Sequence, residues 1–310
     1  MTIPSLLDPQ LAPLFVGAPG PSFSTEILPT LRKAMAGSPI EGAGLEVVER
    51  HVHRADNTAL RLVIIRPEGV SGLLPVVLHC HPGGWILGTP ETSGSTLIEI
   101  AKNSKCVIVS VDYRLAPESP FPAAHDDALI ALRWIRSNAG DLQIDADRVI
   151  LAGESAGASI VAGLALRCRD ESENQGIVAL SLVYPAIDDR TTKLPPHPYA
   201  GTIGLGLDQM RFAWASYLGE SQADDISPYA APGRAERLSD LPPVFLALGA
   251  MDPFIDENLD FAKRLIREGV ATTLHIFAGA PHGFDRLERA QVTMQLRRLR
   301  NDHLKRCIEQ

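Results

Sequence analysis

Leu151-Ala152-Gly153-Glu154-Ser155-Ala156-Gly157-Ala158 is the stretch on which the reading of this chain turns. Ahead of it, Arg148–Ala152 has the apolar run of a short buried strand. Behind it, Ala156–Arg169 is rich in Ala, Leu, Val and Ile and long enough for a helix. Gly-x-Ser-x-Gly between a strand and a helix marks a sharp turn that holds a serine in strained backbone geometry with its hydroxyl exposed. Side chains at 153 and 157 would collide with the neighbouring strand and helix. The helix N-terminus after Ser155 also turns backbone N–H groups toward any negative charge forming there. Taken alone, the same letters describe a glycine-rich loop with a solvated serine, so the surrounding chain has to decide.

Working outward, strands and helices alternate. Leu45–Arg54 and Ala59–Arg66, separated by Ala-Asp-Asn-Thr, suit an antiparallel hairpin. Pro75–Cys80 is a more buried strand. Ser93–Asn103 reads as a helix, Cys106–Val111 as a strand, Ala123–Asn138 as a helix, and Ala179–Val183 as the strand after the Ser155 helix. The sequence then leaves the pattern at Tyr184-Pro185 and holds a helix at Asp208–Leu218. It resumes with strand Val244–Leu248, helix Ile255–Glu268, strand Ala271–Phe277 and a last helix over Leu287–Cys307. Near-continuous apolar strands in this order predict an α/β protein with a mostly parallel sheet covered on both faces. Before the first strand, helix-like pieces fall around Pro4–Phe15 and Phe23–Ala36. The expected division is a cap piece at 1–44, a first core part at 45–185, a cap insertion at 186–230 and a second core part at 231–310.

A serine hydroxyl needs a base within hydrogen-bond reach, itself oriented by a third group. Sites in such sheets lie at the carboxyl ends of the strands. Three residues satisfy that rule: Ser155, Asp252 after Val244–Leu248, and His282 after Ala271–Phe277. Their order, Ser then Asp then His, is one in which serine-hydrolase triads occur. Asp252 before Pro253 is equally suited to capping the next helix. Asp256, Glu257 and Asp224 are rival acids placed in a helix or in the insertion, and His275 lies within a strand, facing packed surface. Attack on an acyl carbonyl also needs donors for the oxyanion. His81-Pro82-Gly83-Gly84 follows the third strand, where Gly83 and Gly84 let the backbone approach a substrate, and the N–H of Ala156 would be a third donor.

Composition narrows the classes. The chain has 310 residues, 45% of them hydrophobic and 21% charged, with a formal net charge of -8. Acidity argues against nucleic-acid and anionic-membrane partners. No apolar run approaches the ~18 residues of a membrane span, and the first basic residue is Arg32, which leaves no positive n-region for a secretory signal. Cys80, Cys106, Cys168 and Cys307 are too scattered for a zinc site or a disulfide framework. A cytoplasmic location is expected, with no cofactor and no metal; a homodimer is an open alternative to a monomer.

Together these pieces resemble the hormone-sensitive-lipase-like family of α/β-hydrolases, bacterial carboxylesterases in particular. The resemblance covers nearly the whole chain. It rests on His81-Pro82-Gly83-Gly84-Trp85, Asp112-Tyr113-Arg114-Leu115-Ala116-Pro117-Glu118, Phe121-Pro122-Ala123-Ala124 with Asp127, Gly153-Glu154-Ser155-Ala156-Gly157, Asp252-Pro253-Phe254 and His282-Gly283-Phe284. It implies an α/β-hydrolase fold with a helical cap, Ser155 as nucleophile, His282 as general base then acid, and Asp252 as its orienter. Gly83, Gly84 and Ala156 form the implied oxyanion hole, and Trp85, Met210 and Trp214 the expected pocket wall. The implied activity is hydrolysis of small- to medium-chain acyl esters. Alternatives are an amidase, carbamate or polyester hydrolase with the same triad, or a ligand-binding receptor on the same fold; receptors of that kind typically lack a triad residue, and here all three are present. Two letters depart from the family pattern: Pro82 stands where glycine is usual, and Glu154 where aspartate is usual.

Overall fold

Leu74–Cys80 is buried at all seven positions, and so is every residue of Val244–Gly249, the signature of strands covered on both faces. The computed structural model describes residues 6–15, 22–195, 197–220 and 225–309. In chain order the elements are α1 (Ala12–Phe15), α2 (Leu28–Met35), β1 (Leu45–His53), β2 (Ala59–Pro67), β3 (Leu74–Cys80), α3 (Gly94–Ser104), β4 (Val107–Asp112), α4 (Ala123–Ser137) and α5 (Ala139–Leu142). There follow β5 (Ile144–Glu154), α6 (Ala156–Asp170), β6 (Ile177–Val183), α7 (Leu207–Leu218), β7 (Val244–Gly249), α8 (Ile255–Arg267), β8 (Thr272–Phe277) and α9 (Gln291–Glu309).

The eight strands form one sheet in the order β1-β2-β4-β3-β5-β6-β7-β8. The β1–β2 hairpin and the β2–β4 pair are antiparallel; all other pairs are parallel. Side chains alternate across the pleat. Val76, Leu78, Cys80 and Leu151 pack with α4, α6 and α8 in one layer. Val77, Ile108, Ile150 and Ala152 pack with Leu97 and Ile100 of α3 and Leu304 of α9 in the other. Each buried Leu, Ile or Val contributes roughly 1.5–3 kcal/mol of transfer free energy, so the two layers fix the register against slippage.

Several boundaries differ from those read in the sequence. β5 begins at Ile144, because Leu74 pairs with Ile144 before a register shift to Val76–Val149. The last helix starts at Gln291 rather than Leu287, since residues 287–290 form a bend and turn after the 3-10 turn Phe284–Arg286. α2 begins at Leu28, with Pro29 in its first turn, a place that needs no backbone N–H. Of the first expected helix, α1 is formed by Ala12–Phe15, and Pro4 and Ser5 lie outside the described residues, as does Asp224. α5 was not foreseen.

One buried charge cluster joins hairpin, sheet and helix. Asp127 of α4 accepts from Arg54 Nε at 2.6 Å and Nη2 at 3.1 Å, and from Arg114 N at 2.8 Å and Nη2 at 2.9 Å. Asp127 is 0% exposed and Arg54 9%. Breaking such a pair leaves a buried charge uncompensated, which costs about 3–5 kcal/mol. Asp127→Ala should therefore lose about that much stability in urea unfolding; a loss under ~1 kcal/mol would remove the cluster from this role.

Candidate active site

The β5–α6 turn brings Ser155 to φ 53° and ψ −121°, a backbone region that a non-glycine residue occupies only when its surroundings impose it. The surroundings are visible. A Cβ on Gly157 would lie 2.0 Å from the carbonyl oxygen of Cys80, and one on Gly153 would lie 2.5 Å from the backbone of Gly157. The two glycines let α6 start directly against β3. Ser155 N–H donates to Val183 O at 2.9 Å, which pins the turn to the next strand.

Ser155 Oγ–H donates to His282 Nε2 at 2.8 Å, and His282 Nδ1–H donates to Asp252 Oδ2 at 2.7 Å. The three expected residues are thus brought together. Asp252 is fully buried, and its second oxygen accepts the Phe254 N–H at 2.9 Å. It closes a local turn and holds the imidazole at once; the N-cap position of α8 belongs to Phe254, so the helix-capping reading is not met. Sequence reasoning missed two rings that fix the imidazole edge-on: Tyr184 at 4.7 Å and 62°, and Phe254 at 5.2 Å and 83°. Tyr184 directly follows the parallel strand β6, the same positional signal that singled out Ser155. Its hydroxyl donates to Asp285.

Neither Glu257 nor Asp256 is the partner of His282, and Asp224 lies outside the described residues. Glu257 accepts from Ile187 N, Asp188 N and the Thr191 hydroxyl, and burial pushes its carboxyl well above the usual carboxylate range. Asp256 is exposed on α8. His275 is half-buried beside Phe245, at 5.6 Å.

The loop after β3 turns on glycine. Gly83 has φ 136°, Gly84 φ 60° and Trp85 φ 62°, and a Cβ on Gly83 would sit 2.0 Å from Leu87 O. Among the described residues the N–H groups of Gly83 and Gly84 meet no hydrogen-bond acceptor, whereas Gly83 O accepts from Leu87 N at 2.9 Å. His81 anchors the loop. Its Nδ1–H donates to Pro82 O at 2.9 Å, its carbonyl accepts from Tyr113 OH at 2.8 Å, and its ring stacks on Tyr113 at 4.1 Å. Burial pushes the His81 imidazole down to about 3, which keeps it neutral. Ala156 opens α6, so its N–H belongs to the helix's free N-terminal set.

Trp85, Trp214 and Met210 are all buried, at 2–3% exposure. Trp85 stacks on Tyr217 at 4.3 Å and lies 4.4 Å from Trp214. Met210 lines a cavity of about 440 Å³, together with Leu207, Gly201, Pro253 and Phe261. Trp85 and Trp214 do not line it, and neither do Ser155, Asp252 and His282. Among the described residues no group of His, Cys, Asp and Glu could hold a metal ion, and no helix is long and apolar enough to cross a membrane.

Residues 77–286 match a family described by its alpha/beta hydrolase fold. The chain is 36% identical over 212 residues to esterase LipI of Mycobacterium tuberculosis, spanning 68% of this chain and 65%, just under two thirds, of that one. It is 34% identical over 243 residues to carboxylesterase NlhH of the same species, covering 77% and 76%. Among solved structures, esterase LipW from Mycobacterium marinum superposes with TM-score 0.86 at 34% identity, covering 98% of this chain and 96% of that one. A bacterial heroin esterase superposes with TM-score 0.89 at 31% identity, covering 98% of each.

Pro82 offers a direct test of which loop positions matter. It has no N–H to give and restricts the loop's unfolded ensemble. Pro82→Gly should keep kcat within about threefold and cost roughly 0.5–1 kcal/mol of stability. A hundredfold rise in kcat would place a missing donor at position 82 instead.

Proposed function

Because the chain belongs to the α/β-hydrolase family, we propose that it is a serine carboxylesterase that cleaves short- to medium-chain acyl esters through an acyl-enzyme on Ser155. The chemistry is carboxylic ester hydrolysis. The observation that carries the reading is the unbroken hydrogen-bonded chain from Asp252 through His282 to Ser155 Oγ, at 2.7 and 2.8 Å.

Ser155 Oγ attacks the acyl carbon as its proton passes to His282 Nε2, and Asp252 stabilises the imidazolium while keeping its proton-bearing Nδ1 in place. The carbonyl oxygen becomes an oxyanion held by the N–H groups of Gly83, Gly84 and Ala156. His282 then protonates the departing alkoxide, leaving the acyl group on Ser155. Water repeats the sequence: His282 takes its proton, the oxyanion forms again, and the carboxylic acid leaves with Ser155 restored. Every proton and electron pair comes from the ester, the water and these side chains. Amide, carbamate and polyester substrates would use the same steps with another leaving group, and no feature of the site favours them. A receptor role is opposed by the complete triad.

The described parts of 1–44 and 186–230 act as a cap in this reading. Phe23 meets Phe212 of α7 edge to face at 6.4 Å. A Cβ on Gly84 would lie 3.3 Å from Ala213, and Gly204 sits against Phe15 and the His282 carbonyl. These contacts support a lid in touch with both the oxyanion loop and the histidine loop. A cytoplasmic location accords with free, buried Cys80, Cys106 and Cys168. A homodimer would find exposed Ile266 and Ile276 beside the open sheet edge at β8.

Turnover of p-nitrophenyl esters from acetate to palmitate should peak at acyl chains of about four to eight carbons, because a closed pocket sets an upper size. Ser155→Ala should lower kcat on the best of them by roughly 10⁴ or more. Palmitate turning over fastest would contradict the cap, and a Ser155→Ala variant with substantial turnover would contradict the nucleophile.

A further inference from the structure

We propose that Glu154 is a positioning residue that ties the nucleophile's turn to both ends of the oxyanion loop, and so governs the rate of the chemical step rather than substrate binding. The proposal rests on the reading of Ser155, Gly83 and Gly84 given above.

Glu154 is the last residue of β5 and the one before Ser155. Ile150 and Ala152 pack into the layer of α3 and α9, and the two-residue period of the strand turns Glu154 the same way. Its side chain is buried, at 4% exposure. Oε2 accepts from His79 Nε2–H at 2.9 Å and from Ser93 Oγ–H at 3.3 Å. Oε1 lies 3.7 Å from Nη1 of Arg300 on α9, itself 2% exposed. The other nitrogen of His79 shares a 2.9 Å hydrogen bond with Ser110 Oγ of β4. Burial opposes ionisation of Glu154, yet His79, Arg300 and Ser93 together hold its carboxyl below the usual value.

The sequence positions of these partners give the contact its meaning. His79 lies on β3 two residues before His81, where the oxyanion loop begins. Ser93 ends the 3-10 turn Pro90–Ser93, into which that loop runs. One carboxylate oxygen therefore bridges the entry and the exit of the segment that carries Gly83 and Gly84. The same residue is covalently joined to Ser155. Distance between nucleophile and oxyanion donors is thus held on the far face of the sheet, away from any substrate. Buried ionic groups seldom add stability over well-packed apolar ones, which makes fixed geometry the sufficient reason for a carboxylate here. Misplacing reacting groups by up to ~1 Å costs as much as 10²-fold in rate. The partners of Glu154 lie on β3, the turn at Ser93 and α9 rather than in the cap, so ground-state binding should be left unchanged.

The test measures kcat and KM on p-nitrophenyl butyrate for wild type, Glu154→Gln, Glu154→Asp, Ser93→Ala and the Glu154→Gln/Ser93→Ala double variant, with thermal unfolding of each. Glu154→Gln should lower kcat by about 10- to 100-fold with KM within about twofold. Glu154→Asp keeps the charge but draws the carboxylate back by one carbon–carbon bond, ~1.5 Å, and should fall with Glu154→Gln. Ser93→Ala should lower kcat about threefold, and the double variant should be no worse than Glu154→Gln, because both remove the same link. A folded Glu154→Gln with kcat within twofold of wild type overturns the proposal, as does a change confined to KM or to unfolding temperature, or a multiplicative double variant. Should Glu154→Gln not fold, Ser93→Ala decides, and unchanged kcat there overturns it. A wild type without ester hydrolysis would overturn the esterase reading itself, whereas an active wild type with an indifferent Glu154→Gln overturns this proposal alone.

Discussion

The contact between Gly157 and the carbonyl of Cys80 is the constraint on which the site depends. With no side chain at 157, α6 begins hard against β3, and the chain can pass from β5 into that helix only through the left-handed turn at Ser155. Such a conformation costs of order 1–3 kcal/mol. It is offset by the surrounding burial: α6 contributes twelve buried side chains or glycines between Ala156 and Cys168. The strain is local, and the core that sustains it is spread over the whole sheet.

From that turn the rest of the arrangement is geometric. Parallel strands end on one side of the sheet, so loops after β3, β5, β6, β7 and β8 converge there. The loop after β3 supplies glycine N–H groups, β5 the serine, β6 the Tyr184 ring, β7 Asp252, and β8 His282. Each acts at short range, but their separations are set by strand register. This is why the polar groups behind the site matter. Glu154, His79 and Arg300 occupy the layer beneath the sheet, where a hydrogen bond in a low-dielectric interior is stronger than at a surface and an unpaired partner is more costly.

The sequence made the sheet, its helices and the Ser155–His282–Asp252 set legible, because apolar runs, glycine spacing and strand ends are all local signals. The Asp252 reading shows the limit of that method. Two jobs, helix capping and histidine orientation, looked like alternatives; Phe254 takes the N-cap of α8, while the carboxylate orients His282 with one oxygen and closes a local turn with the other. The partners of Glu154 were not legible, since His79 and Arg300 lie 75 and 146 positions away and meet it only through register and helix packing. Tyr184 was seen as the point where the alternation stops, but its edge-to-face contact with His282 needed the fold. The beginning of α9 was placed four residues early, at Leu287, because residues 287–290, which follow the 3-10 turn Phe284–Arg286, form a bend and turn before the helix starts at Gln291.

The central claim is that Ser155 is the group that becomes covalently bonded to substrate. Treating the protein with a fluorophosphonate, which transfers phosphorus to an activated serine with loss of fluoride, and mapping the adduct by mass spectrometry tests it most directly. The account predicts one adduct per chain, on the peptide containing Ser155, with ester hydrolysis lost in step with labelling. An adduct on another residue, or a fully labelled protein that still hydrolyses esters, would contradict it.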